Sequence, residues 1–586
     1  MPQNKYPITT SVSLCPQCQL LFSSPGLEQL KSVGKFRHSQ LGTFAERSPC
    51  RFCSYLWNED LLGASAQLYK IRRLRDVLYP ANGNRHSKKS EEELRRCLVV
   101  ISKPVRDQYV LGLDATVSAL EPWTVAPEEA VDRFFVSIET DKGQLKWQGF
   151  SPLRLIASKS SPFAKYTNYR HVEWDEVTSK WVADIQDMLQ LCLTSHPRCQ
   201  PSRLRVLPIR LLHVGKNGGD NLRVQLVTTE EHHTGNYVAL SYCWGGQQPL
   251  QLTKANIKDL LRQPVEQRDL PKGLSDAVDV VHALDLEYLW MDALCIVQDD
   301  QDDKMREISR MSDIYQNSFI TVAAATSNSV HDSFLRSRSG SNTTYPTCDI
   351  PVTLGSEDSG GPERPTDAIT VVPVHAHRSV DFPLNKRGWA FQEALLPPRL
   401  LVFGDLEPFV RCRTKNVMQK SQSCIDYAMS AVHPRRVIDD LVISQDHDRG
   451  LITDTQAARL DFLWREIVEQ YTLRELSVRG DRRFAISGVV DFLAERFSDG
   501  CHFGVRVSYP VVCLLWKTEP LDGRTVVPDV PTWSWMSVTG AVDLDYIVYV
   551  DKPEAVIGWD SADTSHTRLI VTCGVLEAEG GLCPCP

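Results

Sequence analysis

The chain has 586 residues, 24% of them charged and 42% hydrophobic, which fits an ordinary globular protein of roughly three to four domains. Its 32 Gly and 34 Pro exclude a collagen-like or wholly disordered chain. A net charge of −8 gives no general drive toward nucleic acid or an anionic membrane. The longest apolar runs, such as Phe319 to Ala325 and Val511 to Trp516, fall far short of the roughly 18 residues that span a bilayer. The N-terminus has neither a signal-peptide core nor transit-peptide character, so no membrane span and a cytoplasmic location are expected.

The 17 cysteines are an odd number spread over a long chain, which predicts reduced thiols or metal ligands and not a disulfide framework. Residues 1–60 hold Cys15-x2-Cys18 and Cys50-x2-Cys53. A two-residue gap lets both thiolates of a pair face one tetrahedral ion. The loop between the pairs exceeds that of compact four-Cys sites, so structural zinc and plain reduced thiols both stay open.

Residues 61–200 read as a mixed α/β region. Asn82 to Arg96 is a charged loop running into a helix, and 97–155 alternates in short pieces such as Cys97 to Ile101 and Phe134 to Ile138. Trp174 to Cys192 carries Trp181, Ile185, Met188 and Leu191 at helical spacing. Cys192-x3-His196-x2-Cys199 then offers three soft ligands without an obvious fourth, and Pro197 reads as a helix stop.

The most regular stretch runs from Asn236 to Ala325. Tyr237 to Tyr242 predicts a strand ending in the turn Cys243-Trp244-Gly245-Gly246. A helix follows over Leu274 to Leu284, with a strand in the first half of Tyr288 to Ile296. A second helix over Asp302 to Asn317 and a strand over Phe319 to Ala325 complete the series. Alternating strands and helices of these lengths predict a parallel α/β sheet, whose ligands bind beyond the carboxyl ends of the strands. Residues 336–366, rich in Ser, Gly, Thr and Pro, read as a mobile surface insertion. Order resumes at Ile369 to Val374. Residues 411–586 are expected to form a mainly helical extension, with helices over Leu460 to Tyr471 and Arg482 to Phe497. The tail GGLCPCP reads as a loose end.

Several segments resemble the fungal heterokaryon-incompatibility (HET) domain family. They are YVALSYCWG at 237–245, LPKGLSDAV at 270–278, LEYLWMDALCIVQDD at 286–300 and KRGWAFQEALLPPRLLVFG at 386–404. Asp481-Arg482 before AISGV, the Cys/His segment at 192–199 and the late PTWSW add to the likeness, and the domain is expected over 201–410. The resemblance implies a regulator or effector of self/non-self recognition and programmed cell death. It also implies a TIR-like, flavodoxin-like parallel sheet flanked by helices. Some TIR-like domains cleave NAD(P) at the nicotinamide–ribose bond, and others serve only as scaffolds that self-associate or recruit partners. Both remain open here. Homo-oligomerisation and contact with other incompatibility proteins are the implied partnerships, and no nucleic-acid partner is expected.

For the enzyme reading, Glu307 occupies the place of the TIR-like glutamate, on the helix after the second strand. A carboxylate there would stabilise an oxocarbenium-like ribosyl cation. The alternative is a solvated helix carboxylate paired with Arg306 or Arg310. Asp292 ends the second strand, where it either binds ligand hydroxyls or caps the next turn. Ser241, Tyr242, Trp244 and Gly245 sit at the end of the first strand as ligand-binding candidates, with a core Trp over a tight turn as the alternative. Arg387, Trp389, Gln392 and Glu393 form the third motif, in which Arg387 binds an anion or pairs with Glu393. Cys295 lacks a local nucleophile signature and reads as a buried thiol, His282 and His331 being the bases weighed for it. NAD is the expected substrate and zinc the one structural ion in question.

Overall fold

A computed structural model of the chain describes residues 14–33, 35–40, 50–53, 98–102, 133–139, 145–148, 153–157, 161–167, 179–199, 206–216, 221–229, 233–335, 348–352, 367–373, 382–404, 408–414, 454–497, 499–506 and parts of 513–577. The charged stretch at 82–96 and the terminal GGLCPCP lie outside the described residues.

Two sheets organise the chain. The first is built on β1 (Lys35–Gln40), β2 (Leu98–Ser102), β3 (Arg133–Glu139), β4 (Leu145–Gln148) and β5 (Leu153–Ile156), joined by β12 (Cys348–Val352) and β13 (Asp367–Pro373). Its order is β1-β2-β3-β5-β13-β12, with β4 on β3, and every pair is antiparallel. Helices α1 (Pro16–Leu21) and α2 (Ser24–Val33) pack against β1. Strand β12 falls inside the segment expected to be a mobile insertion. Cys348 and Ile350 are buried there, so that part of the insertion is sheet. Its apolar alternation is only five residues long and is hidden among turn-forming residues.

The second sheet has eight strands in the order β15-β14-β11-β8-β10-β6-β7-β9. These are β6 (Arg210–Lys216), β7 (Leu222–Thr228), β8 (Val238–Ser241), β9 (Val265–Glu266), β10 (Tyr288–Trp290), β11 (Ile320–Ala323), β14 (Arg399–Val402) and β15 (Phe409–Cys412). Strands β10, β8, β11 and β14 run parallel, in the order 2-1-3-4 of their appearance along the chain. Antiparallel strands flank them at both edges, so the sheet is mixed where a parallel sheet was expected. The reason is chain length: β7 begins too soon after β6 for the long crossover that parallel neighbours need, so the two pair antiparallel.

Helices supply those crossovers: α4 (Lys272–Ala283), α5 (Asp292–Cys295) and α6 (Gln301–Asn317), with α7 (Ala390–Leu395) leading into β14. The Asp300 side chain caps α6 by accepting from the amides of Asp302 and Asp303 at 3.1 and 3.4 Å. All four residues of β8 and of β11 are buried, as two-sided coverage of a parallel strand requires. Trp290 and Tyr315 meet edge to face, 5.7 Å between ring centroids, at the middle of this core.

The C-terminal helices α8 (Asp454–Thr472) and α9 (Phe484–Phe497) belong to the same core. Helix α9 packs on α6 and α7, burying Ile486, Val489 and Phe492, and Tyr471 of α8 stacks near Phe391. Each such side chain contributes about 1.5–3 kcal/mol when fully buried, so the extension and the sheet stabilise one another. Helix α3 (Ser179–Ser195) packs on β15. Among the described residues, no helix is long and apolar enough to cross a membrane.

Candidate functional site

The carboxyl end of β8 delivers Ser241 and Tyr242 to a cluster of charged groups. Ser241 Oγ donates a hydrogen bond to Glu393 Oε2, reaching from β8 to helix α7. The Arg387 guanidinium donates to the Tyr242 carbonyl. Asp292, at the start of α5, accepts from Trp244 Nε1 at 2.9 Å and from the amide of Ala293 at 2.8 Å. Asp292 thus accepts from the first turn of α5, as the capping alternative expects, and it also fixes the indole of Trp244. Ser241 and Glu393 are buried, while Asp292, Trp244 and Arg387 are partly exposed and form the open side.

Electrostatics bind these groups together. Burial pushes the Glu393 carboxyl up to about 7, against the opposing pull of Arg387 and the Ser241 hydrogen bond. Burial likewise raises Asp292, with Arg387, Tyr242 and Trp244 acting in the other direction. Arg387 is itself disfavoured as a cation by burial, but the carboxylates of Glu393 and Asp292 more than offset this and raise its pKa. Burial and the neighbouring Asp292 carboxylate hold the Tyr242 phenol well above its ordinary value.

Gly245 closes the rim. Its φ is +71°, and a Cβ there would lie 2.4 Å from Ser329 Cβ, so only glycine fits this turn. The following Gly246, also at positive φ, has open space around it.

The third motif divides between two neighbours. Arg387 and Glu393 face the end of β8, whereas Trp389 Nε1 donates to Asp481 Oδ2 at 3.3 Å. Gln392 turns its buried Oε1 toward Gly488 of α9. The backbone repeats this division: the Gly388 amide donates to the Glu475 carbonyl at 2.7 Å, and the Glu475 amide to the Lys386 carbonyl at 2.6 Å. Arg474 Nη1 donates to the Arg387 carbonyl at 3.3 Å, while its guanidinium lies 5.0 Å from the centre of the Phe391 ring. Arg474 was not foreseen, because it arrives from the extension by a contact across 87 residues.

Glu307 has a different partner. It is buried, not solvated, and its carboxylate is 3.7 Å from Arg210 Nη2 of β6. Arg210 also binds Asp303 at 2.6 Å and donates through Nε to the Cys295 carbonyl at 2.7 Å. Arg306, one of the partners foreseen for Glu307, pairs with Asp303 instead. Burial raises the Glu307 carboxyl, with Arg210 opposing. Neither ion-pair partner of Glu307 nor of Asp303 belongs to the Ser241–Glu393 cluster. Cys295 is fully buried, and burial pushes its thiol up to about 12, which leaves no thiolate at neutral pH. His282 and His331 are exposed.

Two groups of soft ligands assemble away from this cluster. In the first, the atoms of Cys15, Cys18, His38 and Cys53 all lie within 4.8 Å of one another. Sulfur–sulfur distances are 3.7 Å for Cys15–Cys53 and 3.5 Å for Cys18–Cys53, and His38 Nε2 is 3.1 to 3.8 Å from the three thiols. Cys50 borders the group, 3.6 Å from Cys18 Sγ. A tetrahedral ion with bonds near 2.3 Å needs ligand separations of about 3.7 Å, so this donor set fits a zinc-sized ion. His38 was missed because a single histidine on a strand carries no spacing signal. In the second group Cys192, His196 and Cys199 are joined by Cys412, likewise within 4.8 Å of one another.

Residues 237–393 match the family model described as Heterokaryon incompatibility protein (HET). No curated protein and no solved structure matches the chain. The matched span opens just before β8 and closes on Glu393, so it encloses every member of the charged cluster. Residues 237–393 of the chain therefore carry a HET domain.

Proposed function

We propose that this protein is an effector of fungal self/non-self recognition and programmed cell death whose HET domain cleaves the nicotinamide–ribose bond of NAD. One observation carries the proposal: Ser241, Asp292, Arg387 and Glu393, from separate elements, converge at the carboxyl ends of parallel strands ordered 2-1-3-4. The order of these four strands is compatible with a flavodoxin-like arrangement, which supports reading the domain as TIR-like. In such sheets ligands sit where the order reverses, between the first and third strands.

The chemistry suits the groups present. Loss of nicotinamide leaves an oxocarbenium-like ribosyl cation, and water then adds to the same carbon and gives up one proton. A carboxylate stabilises that cation, and Glu393, titrating near 7, is matched to receiving the proton at neutral pH. Asp292 orients Trp244 at the open side, where the indole can pack against a flat ring. Arg387 supplies positive charge for the diphosphate, and Gly246 leaves the rim free of side chains. We assign the acid–base role to Glu393 in preference to Glu307, whose partners are Arg210 and its neighbours on α6. The cluster of Cys15, Cys18, His38 and Cys53 holds a structural zinc ion in this proposal. Self-association and contact with other incompatibility proteins control the activity.

Inducible expression in a fungal host tests the function. The wild-type chain is expected to kill, and Glu393→Gln to leave cells viable at equal protein level. Killing by Glu393→Gln at wild-type strength would assign the effect to a non-catalytic scaffold.

A further inference from the structure

Arg399 of β14 is fully buried, and among the described residues no carboxylate lies within ion-pair distance of it. Its Nε points at Cys192 Sγ at 3.3 Å, Nη2 donates to the Cys199 carbonyl at 2.7 Å and Nη1 to the Phe319 carbonyl at 3.2 Å. A guanidinium does not lose its proton, so a buried one needs negative charge close by. Among the described residues, the source near it is a set of thiols. Cys192 and Cys199 flank the end of α3, Cys412 ends β15 directly opposite Arg399 in the strand register, and His196 Nδ1 is 3.4 Å from Cys412 Sγ. All four are buried.

Local sequence explains how three of them meet. Cys192 lies in the last turn of α3 and His196 follows its final residue, four positions on, a spacing that keeps the two side chains close. Pro197 then ends the helix, and the Cys199 amide bonds back to the His196 carbonyl at 3.0 Å, folding Cys199 toward the same point. The fourth ligand comes from 216 residues beyond His196.

We infer that Cys192, His196, Cys199 and Cys412 bind a structural zinc ion that fastens helix α3 to the edge strand of the HET-domain sheet. Three thiolates and a divalent ion carry one net negative charge, and Arg399 neutralises it. With four protein ligands the site is closed and has no open position for catalysis. Binding replaces the thiol protons with the metal, and it joins distant parts of the chain, so metal binding here is also folding free energy.

The test measures zinc in the full-length protein with the N-terminal cluster removed by Cys15→Ser, Cys18→Ser and Cys53→Ser. That variant is expected to retain about one zinc per chain, and addition of His196→Ala to bring it below about 0.1. Addition of His196→Cys, which keeps four ligands, is expected to hold about one zinc. Zinc absorption spectroscopy on the same N-terminal variant gives a second readout: three sulfurs and one nitrogen per ion, with Zn–S near 2.3 Å. A folded N-terminal variant without zinc, or one whose zinc spectrum is dominated by oxygen ligands, would overturn the inference.

Discussion

Ser241 on β8 and Glu393 on α7, 152 residues apart, share a buried hydrogen bond at the carboxyl end of the central parallel strand. That bond joins the first and last motifs of the HET domain. It also places an ionisable carboxyl where burial, not a neighbouring charge, dominates its titration.

The first expected outcome is a pH effect on stability. Glu393 titrates at about 7 in the folded chain, against an ordinary value of 4.5. The folded protein thus keeps a proton that the unfolded chain has lost. The associated stability is fully present below the ordinary value and disappears as pH rises through about 7. Denaturant unfolding should show the wild type losing roughly 2–3 kcal/mol more than Glu393→Gln between pH 5 and pH 8. Burial also raises Asp461 to about 6, so the difference between the two proteins is the informative quantity. Equal pH dependence would mean that Glu393 does not titrate in this range.

At the turn after β8, Gly245→Ala should destabilise by about 2 kcal/mol or more, because it adds a strained φ to a 2.4 Å clash with Ser329. Gly480→Ala, with open space and no positive φ, should change stability by no more than about 0.5 kcal/mol. Thermal melts of both variants give the comparison. A Gly245→Ala protein as stable as the wild type would contradict this geometry.

The Arg210 ion pairs make an asymmetric prediction. Arg210→Ala removes the ion pair of the buried Glu307 carboxylate and leaves Asp303 with Arg306 alone, and should cost about 3–5 kcal/mol. Glu307→Gln leaves the short Arg210–Asp303 bond in place and should cost less than about 1.5 kcal/mol. The reverse ranking in urea unfolding would show that Glu307, not Asp303, is the main partner of Arg210.

Truncation after residue 414 should prevent cooperative folding. It removes α8 and α9, uncovers the apolar faces of α6 and α7, and deletes the Glu475 and Asp481 contacts to Gly388 and Trp389. The expected product is aggregated, or collapsed without a cooperative melt. A soluble, cooperatively melting fragment would show that the extension is a separate unit.

How much of this was legible in the sequence depended on the range of the contacts. The parallel strands β8, β10 and β11 show themselves as short apolar runs, because both faces of each are covered. Strands β6 and β7 were not read from the sequence, although β7 alternates cleanly with Leu222, Val224 and Leu226 buried, and with them Arg210, the partner that binds Glu307, was lost. The residues of the charged cluster were named from motif ends, yet their division was not visible. Nothing in KRGWAFQE tells that Arg387 and Glu393 turn to β8 while Trp389 and Gln392 turn to the extension. His38 and Cys412 were missed for the same reason: each joins its ligand group by tertiary contact, and spacing rules see only neighbours along the chain.

The central claim is that the Ser241–Glu393 cluster is the reacting site, and nicotinamide release tests it most directly. Purified full-length protein would be incubated with NAD over a range of protein concentrations, beside Glu393→Gln and Glu307→Gln. The account predicts release that rises with concentration, falls at least about 100-fold in Glu393→Gln and survives in Glu307→Gln. Release abolished by Glu307→Gln and untouched by Glu393→Gln, or no release by the folded protein at any concentration, would contradict it.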